Sequence, residues 1–222
     1  MHVIRLLILV GFLVSTALID VSAGIPKPTW QTGYLILADG DRRAGELDYN
    51  WQAETVLLRE PDGRIRAFSA SQVQQFGWQA SPGQKARLFI TLPGSIRQAP
   101  ASLAFFEVCA EGPIMVVRRM KRAHGLFRRA YNNPIRNFDP ETPDPHDSFF
   151  DYFAHINGQF LSFKRFYVAI YQAHMAAYRQ ELQQFVQVRH LNEKSQFGQL
   201  RIVEQYNRLA ERQTASVNTP VN

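Results

Sequence analysis

Along the first two thirds of the chain, apolar positions alternate with polar ones, and glycine turns interrupt the alternation. Asp39-Gly40 separates the runs 34–38 and 44–49, Asp62-Gly63 separates 55–60 from 65–68, and Asn157-Gly158 separates 151–156 from 159–163. A period of two sends side chains to alternate faces of a strand. Asp-Gly or Asn-Gly supplies the two positive-φ residues of a type I′ turn, so each trio predicts a β-hairpin. The runs 104–110 and 114–120, joined by Glu111-Gly112-Pro113, predict two more strands, with a return strand at 126–131 after His124-Gly125. Pro and Gly in 79–84 and 93–100 predict loops.

After Phe163 the period changes. Phe166, Ile170, Tyr178, Leu182, Phe185 and Val186 recur at three- and four-residue spacing, which predicts helix over 164–190, as one element or as two jointed near 174–177. Asn192 to Ser195 offer caps for a last helix over about 196–212, with Leu200, Val203 and Leu209 on one face, and 214–222 reads as a frayed tail. The class is therefore α+β: an antiparallel β-rich domain, 24–163, followed by a C-terminal segment of two or three helices, 164–213. The rhythm of 33–76, with short strands, an Asp-Gly turn and Gly45, is that of a small SH3- or Sm-like barrel, a fold that more often binds than catalyses.

One apolar run breaks both patterns. Arg5 precedes an apolar stretch at 6–19, and Val21-Ser22-Ala23 follows it with small residues at alternate positions. The stretch falls short of the ~18 residues that a membrane anchor needs, so 1–23 reads as a cleavable signal peptide and the expected location is exported, periplasmic or secreted. Arg5 and Asp20 cancel, so the remainder keeps the formal charge of +6, which favours anionic partners. Cys109 is the one cysteine, so no intramolecular disulfide can form; with 45% hydrophobic residues and 16 Phe, packing must supply the stability.

The charge is unevenly spread. Between Gly112 and Phe138 no acid interrupts Arg118, Arg119, Lys121, Arg122, Arg128, Arg129 and Arg136. If 114–131 is a hairpin, these cations crowd its tip and could clamp phosphate or carboxylate; the alternative is a solvated hairpin end that discourages edge-to-edge pairing. Asp139, Glu141, Asp144, Asp147 and Asp151 follow, with Pro140, Pro143 and Pro145. The order of acids is not that of a calcium loop, and His124, His146, His155, His174 and His190 lack zinc spacing, so neither a metal nor any other cofactor is expected. Cys109, flanked by apolar residues, reads as core.

The function expected from these features is a non-enzymatic binding protein of the cell envelope, whose basic hairpin takes an anionic envelope component; nucleic acid is not favoured. The alternative is a helix-mediated interaction or assembly protein, motivated by Phe166, Tyr167, Tyr171, Tyr178 and Phe185. An envelope hydrolase is the third reading, and it requires a pocket near Glu107, His124, His155 or His174.

Three stretches carry a resemblance: Gly33-Tyr34-Leu35-Ile36-Leu37 with Asp39-Gly40 and Gly45, then Phe105-Phe106-Glu107-Val108-Cys109-Ala110-Glu111-Gly112, then Tyr206-Asn207. They resemble a family of exported, uncharacterised proteins of Gram-negative bacteria with a signal peptide, a β-rich N-terminal part and a helical C-terminal part. In this chain Cys109 stands where that family tends to have Leu, and the loop at 132–147 is extra. The resemblance implies export and architecture, and it implies no catalytic residues.

Overall fold

A computed structural model describes residues 28–51, 53–79, 86–94, 102–121, 143 and 147–217. The expected signal peptide, the return strand at 126–131 and the tail beyond 217 lie outside these residues. Ten strands form one antiparallel sheet: β1 (Gln31–Leu37), β2 (Arg42–Asn50), β3 (Thr55–Arg59), β4 (Ile65–Ser69), β5 (Val73–Trp78), β6 (Arg87–Pro93), β7 (Leu103–Ala110), β8 (Met115–Met120), β9 (Phe150–Ile156) and β10 (Gln159–Ser162). Their order is β10-β9-β8-β7-β6-β5-β1-β2-β3-β4. The α+β class stands, with helices following the sheet; β5 and β6 are strands that the turn signals did not delimit.

The first five strands must curl. β4 and β5 are four neighbours apart in the sheet order, roughly 19 Å if flat, yet only Ala70, Ser71 and Gln72 join them. Four virtual bonds reach at most about 15 Å, and this link is folded further by a Gln72 N–H to Ser69 carbonyl bond of 3.0 Å. In the order β5-β1-β2-β3-β4 the short last link draws β4 back towards β5. A row of glycines across β2, β1 and β5 permits the bend: a Cβ at Gly33 would lie 2.3 Å from the Gly77 carbonyl oxygen, and one at Gly45 would lie 2.4 Å from that of Arg59.

Two of the hairpin turns differ from expectation. Asn157 and Gly158 both have positive φ, 49° and 80°, as a type I′ turn requires. At the other two turns only the glycine does, Gly40 at 90° and Gly63 at 84°. There the chain makes four-residue turns, 37–40 and 60–63, in which Gly40 N–H donates to the Leu37 carbonyl and Gly63 N–H to the Glu60 carbonyl at 3.0 and 2.9 Å. Asp39 and Asp62 instead accept the backbone N–H two residues on, each at 3.0 Å, an Asx turn that competes with the I′ geometry. In the second loop Pro61 occupies a position whose fixed negative φ suits type I and forbids I′.

Alternation along the strands fills one continuous core. Leu35, Leu47, Val56, Leu58, Phe68, Val73 and Phe76 line the curled part, and Phe89, Phe105, Val116, Phe150 and Ala154 continue it across the second half. Phe163, Phe166, Ile170, Met175, Leu182, Ile202 and Val203 close it from the helical side. A smaller cluster on the opposite sheet face, Ala104, Phe106 and Val117, is buried as well. That second burial is why β7 reads as an almost unbroken apolar run.

The helical part runs through irregular turns over 163–178 into α1 (Arg179–Val188) and then α2 (Gln196–Val217). The expected joint is real: Met175, at φ −113° and ψ 5°, breaks the first stretch. Ser195 starts α2 by accepting the Gly198 N–H at 3.0 Å, and the helix outlasts the expected boundary to reach Val217. Among the described residues no helix is long and apolar enough to cross a membrane.

Asn207 fastens α2 to the sheet. Its buried side chain accepts the Ile114 N–H at 3.0 Å and donates to the carbonyls of Glu111 and Ile114 at 2.7 and 2.8 Å. Gly112, at φ +128°, has to be glycine on both counts, because a Cβ there would lie 2.7 Å from the Asn207 amide. The Glu111-Gly112 and Tyr206-Asn207 pairs, far apart in sequence, are thus two halves of one lock. Asn207→Ala removes three buried hydrogen bonds and should cost about 3–5 kcal/mol, measured as a fall in urea midpoint at constant m-value; a change below about 1 kcal/mol would mean the lock carries no stability.

Candidate functional site

β8 has a neighbour on each edge, β7 through Glu107↔Arg118 and Val108↔Val117, and β9 through Met115↔His155 to Met120↔Phe150. No edge is left for a return strand at 126–131, so the expected hairpin over 114–131 does not form on this strand. Its place is taken by β9, and the basic residues at 118–121 are consequently sorted by the strand's own alternation.

Arg118 faces the main core beside Val116 and Met120, and only 8% of its side chain is exposed. Its Nε donates to Glu107 Oε2 at 2.7 Å, and Arg87 Nε, from β6, donates to Glu107 Oε1 at 2.6 Å. Arg118 Nη1 donates to the Tyr152 hydroxyl at 2.9 Å, which in turn donates to Asp147 Oδ1 at 2.5 Å. Aromatic rings form the walls: the Arg118 guanidinium lies 4.2 Å from the Phe150 centroid, and that of Arg87 lies 5.3–5.5 Å from Phe89, Trp51 and Trp78. Contact with these rings partly offsets the burial of Arg87 Nη2, which has no hydrogen-bond partner.

This network holds two cations and two carboxylates, so it is formally neutral. Burial by itself would push the Glu107 carboxyl up, but Arg118 and Arg87, by charge and by hydrogen bond, outweigh it and hold the group down at about 2. Burial pushes the Tyr152 hydroxyl well above the usual phenol range. Glu107 therefore stays ionised with both oxygens engaged, and Tyr152 stays protonated. Neither group is poised to move a proton near neutral pH, and the arrangement is a clamp across β6, β7, β8 and β9.

Arg119 points to the other face. Its Nε donates to Glu54 Oε1 at 2.8 Å, its Nη2 bonds the same oxygen, and its Nη1 donates to the Gly94 carbonyl at 3.0 Å. Lys121 is exposed and donates to the Ser148 carbonyl at 2.7 Å. Of the cations assigned to an exposed finger, then, Arg118 is enclosed because an inward-facing strand position requires a partner, Arg119 is paired at the rim, and Lys121 reaches water. Arg122, Arg128 and Arg129 lie outside the described residues.

The other candidates do not converge. Glu107 faces the core, whereas His155 lies on the opposite face against Phe160, at 5.1 Å, and His174 and His190 are exposed on the helical part. His124 and His146 lie outside the described residues, as do Arg136, Asp139, Glu141 and Asp144. Among the described residues no group of three or more His, Cys, Asp or Glu side chains could hold a metal. Cys109 is half-buried and packs against the core, as expected. Of the helical aromatics, Phe166 is buried, and Tyr167, Tyr171 and Tyr178 pack against the core at partial exposure. An open cleft of about 410 Å³ lies at the β3–β4 turn, lined by Arg43, Ala44, Glu60, Pro61, Asp62 and Arg64. Glu60 there pairs with Arg43 and Arg64 at 3.5 and 3.7 Å and Asp62 pairs with Arg64 at 2.6 Å, so the lining is self-neutralised.

Sequence reasoning missed Arg87 and Glu54, and it marked Asn207 only as part of a motif, without its packing role. Only strand register brings Arg87 and Arg118 to Glu107, and no local motif announces such a meeting. Comparisons with protein-family models, with curated proteins and with solved structures found no match to the chain.

The clamp has a pH signature. Because the folded-state pKa of Glu107 lies below its ordinary 4.5, its stabilisation is complete above about pH 4.5 and is lost as pH falls towards about 2. Glu107→Gln keeps the shape but leaves two guanidinium groups without their carboxylate, at a cost of about 3–5 kcal/mol at neutral pH. Urea unfolding at pH 7 and between pH 4.5 and 2.5 should show that loss together with a flatter acid dependence than the parent; equal pH profiles would refute the clamp.

Proposed function

We propose that this chain is an exported, non-enzymatic binding protein of the cell envelope, which presents a basic segment from one end of a rigid sheet to an anionic, phosphate-bearing lipid surface. One observation carries the reading: Met120 of β8 and Phe150 of β9 are register partners, although residues 121–149 lie between them in sequence. An antiparallel pair in that register can be closed by a loop of roughly two to five residues. The topology therefore does not need the intervening sequence, and long insertions of this kind are more often functional than structural.

The first part of that sequence, 121–138, supplies the ligand class. Lys121, Arg122, Arg128, Arg129 and Arg136 precede its first acid, Asp139. A positive segment next to an anionic membrane surface gains about 1 kcal/mol per Lys or Arg brought near it. The run at 6–19 with Val21-Ser22-Ala23 supports export.

The reading is tested by co-sedimentation of the protein with phosphatidylcholine vesicles containing one quarter phosphatidylglycerol, against vesicles of phosphatidylcholine alone. Binding should require the anionic lipid and weaken with salt. Replacing Arg122, Arg128 and Arg129 by Ser should reduce it by roughly a hundredfold while leaving the melting temperature unchanged. Retention that ignores lipid charge, or that survives the triple substitution, would contradict the proposal.

A further inference from the structure

Arg118 and Arg119 are adjacent in sequence and differ in what holds them. Glu107 binds Arg118 inside the core, with both carboxylate oxygens engaged and 9% of its side chain exposed. Arg119 sits at the rim, its side chain 12% exposed, facing a Glu54 that is 27% exposed. Two guanidinium nitrogens meet the single oxygen Oε1 of Glu54, while the Gly94 carbonyl holds the third nitrogen. Glu54 also adopts φ 50°, a left-handed conformation that costs a non-glycine residue about 1 kcal/mol or more. The ion pair is made from a strained turn.

Lys121 completes the arrangement. Its N–H bonds the Phe149 carbonyl at 2.9 Å, which carries the β8–β9 ladder one residue past the end of β8. Positions 119 and 121 therefore share a face, about 7 Å apart along the strand. A guanidinium fork and an ammonium at that spacing can grip one phosphate-type oxyanion, the fork giving direction and the ammonium giving charge.

We infer that Arg119 and Lys121 form an oxyanion site at the end of β8, and that Glu54 is its built-in counter-anion, occupying the place on Arg119 that a ligand oxygen takes. The inference rests on the anionic-surface reading above and adds the exchange that accompanies binding. On ligand entry the Arg119–Glu54 bonds and the Lys121–Ser148 bond break, and both cations turn to the incoming oxygens. The Gly94 carbonyl keeps the guanidinium oriented, and the turn at Glu54 is released from its strained backbone. Arg118 takes no part, because Glu107 encloses it.

The test is a titration of the 15N-labelled full chain with inorganic phosphate, following the Arg119 Nε–H resonance. A saturable shift is expected, and Glu54→Gln should tighten the apparent affinity about fivefold, the worth of one removed competing charge. In an Arg119→Ser background, read on the Lys121 amide, Glu54→Gln should give no gain. Glu54→Gly, which removes the carboxylate and tolerates the positive φ, should reproduce the tightening should the Gln variant unfold. No saturable shift in the parent, or an equal gain with and without Arg119, would overturn the site. A phosphate response at Arg119 without vesicle binding would defeat the membrane reading alone, and vesicle binding with a silent Arg119 would defeat this site alone.

Discussion

The Glu107 carboxylate, shared between Arg87 and Arg118 in the interior of the sheet, is the interaction on which the rest of the arrangement turns. A charge on an inward-facing strand position cannot be left unpaired, and here the partners come from the strands on either side. β7 and β8 are joined at the Glu107–Arg118 row, Arg87 reaches the same carboxylate diagonally from β6, and Tyr152 and Asp147 extend the bonding to β9 and to the turn before it. The same demand divides a run of basic residues that looks uniform in sequence. Arg118 is consumed by the fold, Arg119 is paired at the rim, and Lys121 reaches water. The cations left at the surface are therefore those at the end of β8 and not those along it.

The surrounding architecture makes that end a firm platform. A link of three residues between β4 and β5 forces the first five strands to curl, and the glycine row through Gly45, Gly33 and Gly77 gives the backbone room to do so. The later strands run out from this curl as a meander covered by helices. Asn207 ties the last helix to the β7–β8 turn, one strand's length from the opposite end of β8, where the basic sequence begins. One end of β8 is thus held by a buried amide and its middle by a buried ion pair.

Much of this was legible in the chain. The alternation around Asp39-Gly40, Asp62-Gly63 and Asn157-Gly158 marked six of the strands, and the change of period after Phe163 marked the helices and their joint. β5 and β6 escaped because no Asp-Gly or Asn-Gly turn brackets them. The two Asp-Gly loops adopted a different turn because the Asp side chains bond their own backbone and Pro61 fixes a negative φ. The candidate site was legible only as a density of arginines. A composition bias has no faces, so the difference between Arg118 and Arg119 appeared only once β8 had neighbours on both edges. The motif residues of the resemblance, Glu111-Gly112 and Tyr206-Asn207, proved to be partners in packing.

The most direct test of the enclosed clamp is the carboxyl titration of Glu107 itself, by 13C NMR of the protein labelled in its glutamate side chains. The account predicts a midpoint near 2. A midpoint at or above the ordinary 4.5 would contradict it, because it would mean that the two arginines do not hold Glu107 ionised in the core.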